Sequence, residues 1–229
     1  MKLQISLLYL VSYICGGIPF GVVFARMRGI DLLSVGSGNI GATNVKRALG
    51  TKIGLLVFVL DVLKATVPSA AARLIVTHPY HAVPAQVFWF LAGLFAVLGH
   101  CVSPFLKFKG GKGVSTALGM VVGAAPAVAG CCFSLFLVLL FATRYMSLAS
   151  MIAVTSAIVF GWMLPDQARE LVPLYIVLSI FVIYRHRPNI KRLRNGTEPK
   201  FSFKDKPSVT TDDPSEPPQD DSTSEDQSQ

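Results

Sequence analysis

Hydrophobic positions in this chain come in long blocks. The apolar segments are 3–24, 53–76, 84–105, 114–142, 146–164 and 170–184. A helix needs about 20 apolar residues to cross a bilayer, so the pattern predicts an all-α, polytopic membrane protein. Segment 3–24 has the place of a signal peptide. It lacks a small-x-small cleavage site, and Pro19 and Gly21 stand where one would fall, so it reads as a retained helix. In segment 114–142, Gly123 and Pro126 lie near the middle, where a helix bends or turns.

The polar residues between the blocks orient them. Arg26, Arg28, Lys46, Arg47 and Lys52 make the first connection basic, so it should be cytoplasmic and the N-terminus outside. Segments 53–76 and 84–105 return Lys107, Lys109 and Lys112 to the same face, and Arg185 to Lys206 should lie there too. An even number of crossings must then separate Gly113 from Arg185. Segment 114–142 therefore reads as two short membrane-penetrating helices, some of the set being short or re-entrant, and the expected total is seven.

Composition sharpens this picture at one end. The chain has 229 residues, 52% of them apolar and 15% charged, with a mean hydropathy of +0.54 and a net charge of +8. Residues 207–229 carry seven acids and no base. With almost no apolar residues, this Ser-, Pro- and Asp-rich stretch should be a disordered cytoplasmic tail. The expected organisation is a membrane-embedded domain over 1–200 and a tail over 201–229. Cys15, Cys101, Cys131 and Cys132 form no Cys-x-x-Cys pair and read as free thiols.

Three clusters carry candidate chemistry. Ser37-Gly38-Asn39-Ile40-Gly41-Ala42-Thr43-Asn44, with Arg47, mixes flexible backbone with neutral hydrogen-bonding groups and a guanidinium. Consecutive N–H groups in such a loop can form an anion-binding concavity, and the Arg fork matches phosphate oxygens. A turn plus a helix cap at Thr43 or Asn44 explains the same residues equally well. Lys109-Gly110-Gly111-Lys112-Gly113-Val114-Ser115-Thr116 leads two lysines and three glycines into a helix N-terminus, which attracts anions. It is not a P-loop, since Leu106 and Gly113 stand where Gly and Ser or Thr are required. Arg185-His186-Arg187-Pro188-Asn189 ends the last helix and, taken alone, is a polybasic stop. Asp61 and Lys64, one turn apart, should form an ion pair facing the bundle interior, and His100 ends another helix.

Familiar chemistries are missing. No His-x-x-x-x-Asp, Gly-x-Ser-x-Gly or His-Glu-x-x-His occurs. This argues against an acyl-CoA acyltransferase, a serine hydrolase or a zinc protease. A transporter of small phosphorylated anions remains an alternative, because interrupted helices and half-helix N-termini also suit that role. It predicts clusters at mid-bilayer depth, whereas these share one face.

Together the clusters resemble the PlsY family, the acyl-phosphate-dependent glycerol-3-phosphate acyltransferases of bacteria. The matching strings are GSGNIGATNVKRALG (36–50), LDVLKA (60–65), LGHCVSPFLKFKGGKGVST (98–116), TRYMSLAS (143–150) and HRPNIKRLRNGTEPKF (186–201). The resemblance implies a seven-helix enzyme of the bacterial inner membrane, with its site facing the cytoplasm. It would transfer a fatty acyl group from acyl phosphate to the sn-1 hydroxyl of glycerol 3-phosphate, giving lysophosphatidic acid, the first step of phospholipid synthesis. It implies no cofactor, no metal and no nucleic acid. Its partners would be the bilayer and the soluble PlsX-type enzyme that makes acyl phosphate. By resemblance, Ser37, Arg47 and a lysine of the second cluster hold the phosphate of glycerol 3-phosphate. Thr43 and the Gly110–Gly113 backbone lie near the acyl phosphate, and His186 and Asn189 orient the reacting groups. Asn39 joins the catalytic set. Gly41, Asn44, Lys109, Lys112, Ser115, Thr116 and Arg187 join the phosphate-binding set. His100, Asp61, Lys64 and Ser147 support them. The proton acceptor stays open between His186 and the leaving phosphate. Pro188 and Ala65 depart from an acidic residue and a Gly common at those positions.

Overall fold

The structure, a computed structural model, describes residues 2–164 and 169–203. The helices are α1 (Lys2–Gly17), α2 (Phe20–Arg26), α3 (Ala42–Leu49), α4 (Thr51–Ile75), α5 (Ala85–Cys101), α6 (Val114–Ala124), α7 (Pro126–Thr143), α8 (Met146–Met163), α9 (Val172–Arg185) and α10 (Arg187–Arg194). Among the described residues there is no β-strand, only the isolated bridges Tyr80–Val83 and Ser103–Lys109.

The first apolar segment differs from expectation. It breaks into α1 and α2 at Ile18-Pro19, where proline's fixed φ and missing N–H interrupt the hydrogen-bond ladder. Segment 114–142 turns at Ala125-Pro126, close to the predicted bend, but into unequal arms. With 11 residues, α6 is only about 16 Å long at 1.5 Å per residue, whereas α7 has 18 residues. Among the described residues, four stretches are long and apolar enough to cross a membrane: Lys2–Arg26, Thr51–Ile75, Pro126–Thr143 and Met146–Met163. The 17-residue α5 and α6 are shorter apolar helices.

Small residues let these helices approach closely. Gly16 lies against the Ala96 backbone and Gly99 against the Tyr13 carbonyl, so a Cβ at either would collide across the α1–α5 contact. Gly119 against Val62 and Gly123 against Ser69 do the same for α4 and α6. Close backbone approach is the usual route to helix association where lipid offers apolar contacts of its own. The main core lies between α5, α6, α8 and α9, around Phe90, Met120, Tyr175 and Val182. A second core, of Val22, Leu32, Val45 and Val57, seats α2 and α3 against the start of α4.

After α10 the chain turns back across the helix ends. The Phe201 amide donates to the Arg144 carbonyl at 2.7 Å, Lys46 Nζ donates to the Ser202 carbonyl at 2.5 Å, and Phe203 stacks on Phe141. Of the predicted tail over 201–229, residues 201–203 make these contacts, and 204–229 lie outside the described residues.

Candidate active site

The first cluster is a loop folded around its own asparagines. Asn44, buried in α3, accepts from the Ser37 amide at 2.9 Å and donates to the carbonyls of Leu32 and Val35. Asn39 accepts from the Gly41 amide at 2.9 Å, an Asx turn that delivers the chain into α3. The N-cap is Gly41 rather than Thr43 or Asn44. This packing leaves Ser37, Thr43 and Arg47 along the wall of one cavity, with Thr43 and Arg47 a helical turn apart.

The second cluster divides at Lys112. Gly110 packs onto the backbone of His100 and Cys101, and Gly111 onto the His100 ring, so a Cβ at either would collide. Their glycines serve this protein-to-protein fit. Gly113 has φ +81°, a left-handed turn that starts α6. Lys112, Gly113 and Ser115 line the cavity. Lys112 Nζ donates to Asn189 Oδ1 at 2.6 Å. Burial pushes its ammonium down to about 8; Glu198 opposes this, while Arg192, Arg47 and Arg185 add to it.

The third cluster meets the second through Asn189. Asn189 Nδ2 donates to Glu198 Oε1 at 2.7 Å, Ser147 Oγ donates to the same oxygen at 2.6 Å, and Arg192 Nε donates to Oε2 at 2.7 Å. Burial alone would raise the Glu198 carboxyl. Hydrogen bonds from Ser147, Asn189 and Arg192, with the Arg192 charge, more than offset it and hold the carboxyl below its usual range. His186 Nδ1 lies 2.8 Å from the Val182 carbonyl. A carbonyl only accepts, so Nδ1 carries the proton and Nε2 keeps its lone pair. Burial lowers this imidazole to about 4, with the Lys112 and Arg185 charges adding. It is therefore neutral.

Beneath these lies the predicted ion pair. Lys64 Nζ sits 2.7 Å from Asp61 Oδ1 and 2.7 Å from His100 Nδ1, and it donates to the Ile18 carbonyl at 3.3 Å. An ammonium has donors only, so His100 accepts at Nδ1 and carries its proton on Nε2. Asp61 and His100 reach the cavity wall, and Lys64 stands behind them.

All three clusters therefore converge on one cavity of about 300 Å³. Of the predicted residues, Ser37, Asn39, Gly41, Thr43, Asn44, Arg47, Asp61, His100, Lys112, Gly113, Ser115, Ser147, His186 and Asn189 line it. The others do not. Lys109 is exposed, and Gly110 and Gly111 stand behind the loop. Thr116 is buried with its hydroxyl unpartnered among the described residues. Arg187 is exposed, its guanidinium 4.4 Å from the Tyr184 ring centroid. Asn44 lines the wall, but its amide is occupied by the loop.

Sequence reasoning missed Arg192, Glu198 and Ser150, all of which line the cavity. Glu198 carried a signal, as the one acid within the basic run from Arg185 to Lys200. Ser150 marks a junction. With Phe58, Val114, Ser115, Phe133 and Phe136, it also lines a narrow apolar groove that continues between α6, α7, α8 and α9 to Val121, Ala157 and Leu178.

Known proteins share this architecture and sequence. The family profile of glycerol-3-phosphate acyltransferase matches residues 6–196. The glycerol-3-phosphate acyltransferase of Aquifex aeolicus (strain VF5) is 45% identical over 194 residues, covering 85% of this chain and 97% of the relative. That of Bacillus subtilis (strain 168) is 41% identical over 202 residues, covering 87% and 98%. A crystal structure of PlsY, an integral membrane glycerol 3-phosphate acyltransferase, in its glycerol 3-phosphate form superimposes with a TM-score of 0.78 at 42% identity, covering 87% of this chain and 96% of that one. Its lysophosphatidic acid form gives 0.77 at 41% identity, with the same coverage. The chain belongs to the glycerol-3-phosphate acyltransferase family.

Proposed function

We propose that this member of the family transfers a fatty acyl group from acyl phosphate to the sn-1 hydroxyl of glycerol 3-phosphate, releasing lysophosphatidic acid and inorganic phosphate. The observation that carries the reading is the junction of two unlike spaces. A cavity bearing Arg47, Lys112 and Arg192 opens along Phe58, Val114, Ser115, Phe133, Phe136 and Ser150 into an apolar groove. Two small phosphorylated anions need only the first space. A phosphate that carries a fatty chain needs both.

The chemistry asks little covalent work of the protein. Acyl phosphate is a mixed anhydride, so the sn-1 oxygen bonds directly to the acyl carbon while the carbon–oxygen bond to phosphate breaks. The leaving phosphate takes the electron pair. Arg47, Lys112 and Arg192 offset the repulsion between two phosphates, with Ser37 and Thr43 as neutral donors; this is positioning plus electrostatic stabilisation. Glu198 fixes Asn189, Ser147 and Arg192 in place by occupying one donor of each. His186 Nε2 offers a lone pair that can accept from the attacking hydroxyl and orient it. The proton then passes to a phosphate oxygen. Phosphate monoesters have a second pKa near about 6, which makes them stronger bases than an imidazole lowered to about 4.

The basic residues at the helix ends around this cavity support a cytoplasmic mouth, with seven crossings, the N-terminus outside and the bacterial inner membrane as location. The soluble PlsX-type enzyme would deliver the donor there. The test supplies purified protein with glycerol 3-phosphate and either acyl phosphate or acyl-CoA. Lysophosphatidic acid should form from acyl phosphate. A comparable rate from acyl-CoA would overturn the donor assignment.

A further inference from the structure

Arg185 touches none of the cavity, yet it grips the loop that does. Its Nη2 donates to the carbonyls of Gly110 at 2.9 Å and Gly111 at 2.6 Å, and reaches that of Cys101 at 3.4 Å. The loop is pinned on a second side as well, since the Gly111 amide donates to the His100 carbonyl at 3.1 Å. One guanidinium thus ties the end of α9 to the end of α5 and to the diglycine between α5 and α6.

The geometry of a trans peptide gives this grip a consequence. In a trans peptide the C=O and the following N–H point in opposite directions. The Gly111 carbonyl points to Arg185, which lies outside the cavity lining, so the N–H of Lys112 points away from Arg185. Lys112, Gly113, Val114 and Ser115 all line the cavity, and the Lys112 N–H has no acceptor among the described residues. Gly110 and Gly111 are the residues least able to hold a peptide plane by themselves, because they lack Cβ. Something outside the loop must choose the orientation.

We infer that Arg185 is a positioning residue that locks the Gly111–Lys112 peptide plane. It turns the Lys112 N–H, beside the first N–H groups of α6, toward a substrate phosphate. The inference rests on the acyl-transfer reading above. It predicts an effect on one phosphate and not on the other, because only one can occupy the loop. Loss of a charge alone would weaken both anions together, and loss of packing would lower fold stability and turnover.

The test uses the full-length protein as wild type, Arg185→Met, Arg185→Lys and Arg194→Met, the last removing a charge from the exposed end of α10. Steady-state kinetics gives KM for acyl phosphate and glycerol 3-phosphate. Calorimetry gives Kd for glycerol 3-phosphate and inorganic phosphate without turnover. Arg185→Met should raise KM for one phosphate substrate at least tenfold, leaving the other and kcat within about threefold. Arg185→Lys, with a single donor centre in place of a fork, should recover part of that. Arg194→Met should behave as wild type. Equal shifts in both KM values, a matching shift in Arg194→Met, or unchanged kinetics in Arg185→Met would overturn the inference. If Arg185→Met fails to insert, the same split in Arg185→Lys decides it, and equal or absent shifts there overturn it. If wild type binds phosphate but makes no lysophosphatidic acid, the acyl-transfer reading fails instead. The Kd values then judge the loop: a tenfold loss of phosphate binding in an Arg185 variant, absent from Arg194→Met, supports it, and no loss overturns it.

Discussion

Two buried histidines line the same cavity as opposite tautomers. His100, at the end of α5, receives a donor from Lys64 on Nδ1 and so carries its proton on Nε2, which packs against Gly111. His186, just past α9, gives its Nδ1–H to the Val182 carbonyl and so keeps an Nε2 lone pair. The residue type and position are alike: each closes an apolar helix. The difference lies wholly in the partner on Nδ1, an ammonium in one case and a carbonyl in the other. A neutral imidazole is a donor or an acceptor according to what holds its far nitrogen. Here that makes His100 a donor at the Gly111 end of the loop and His186 an acceptor suited to a hydroxyl.

The largest break in this comparison comes at His186. Replacing it with Ala should lower kcat by about a hundredfold, the lower end of the range for a positioned acid or base, since this imidazole orients rather than takes the proton. His186→Gln places an amide near the Nε2 position and can offer an oxygen there, so it should recover a measurable fraction. Equal losses in both, measured as lysophosphatidic acid formed from acyl phosphate, would show that the lone pair has no role.

Lys112 sharpens the comparison through pH. Its ammonium is lowered to about 8, so it is charged below that value and neutral above it. Phosphate affinity should therefore weaken as pH rises through about 8, with KM increasing up to about tenfold per unit beyond. Lys112→Arg should remove this alkaline limb, because a guanidinium stays charged. His186, lowered to about 4, should contribute no limb near the usual histidine value of about 6.5. A limb near there that vanishes in His186→Gln would overturn its assignment as a neutral acceptor.

His100 should respond less steeply. His100→Gln can still keep a donor amide against Gly111 while accepting from Lys64 less well, so turnover should fall about fivefold, within the roughly 0.5–1.5 kcal/mol of one hydrogen bond. His100→Ala should cost more and also lower the melting temperature, because it leaves the buried Lys64–Asp61 pair without its third partner. A Gln variant as damaged as the Ala variant would mean that the ring's shape, and not its Nε2–H, matters.

The histidines also show what was legible in the sequence. Long apolar blocks, the bend before Pro126 and the basic ends of the helices could be read because each follows from composition over many residues. So could the meeting of three clusters, since each ended an apolar block beside bases. The division of labour inside a cluster could not. Gly110 and Gly111 look like ligand-cradling glycines, but they are small because His100 and Cys101 press on them. Asn44 looks like a ligand contact, but it holds the Leu32–Ser37 turn. Glu198, far from the other clusters in sequence, becomes the hub of Ser147, Asn189 and Arg192 only once the chain has turned back after α10. Periodicity reports which face is apolar and is silent about which polar atoms find each other across 50 residues.

The smallest effect belongs to the end of the chain. Glu198 brings the segment after α10 into the site, and Phe201, Ser202 and Phe203 anchor it by contacts to Arg144, Lys46 and Phe141. Beyond Lys206 the sequence holds seven acids, no base and almost no apolar side chain with which to pack. Every cavity contact described above lies before it. Truncation after Lys206 should therefore leave kcat for lysophosphatidic acid formation within about twofold of wild type, because such a segment has too little apolar surface to fold onto the site. Truncation after Gly196 should by contrast abolish activity, since it removes Glu198 and leaves Asn189, Ser147 and Arg192 without their common acceptor. If the shorter truncation costs more than tenfold while the protein still inserts normally, the acidic residues take part in the site, and the boundary between working enzyme and appendage lies beyond Lys206.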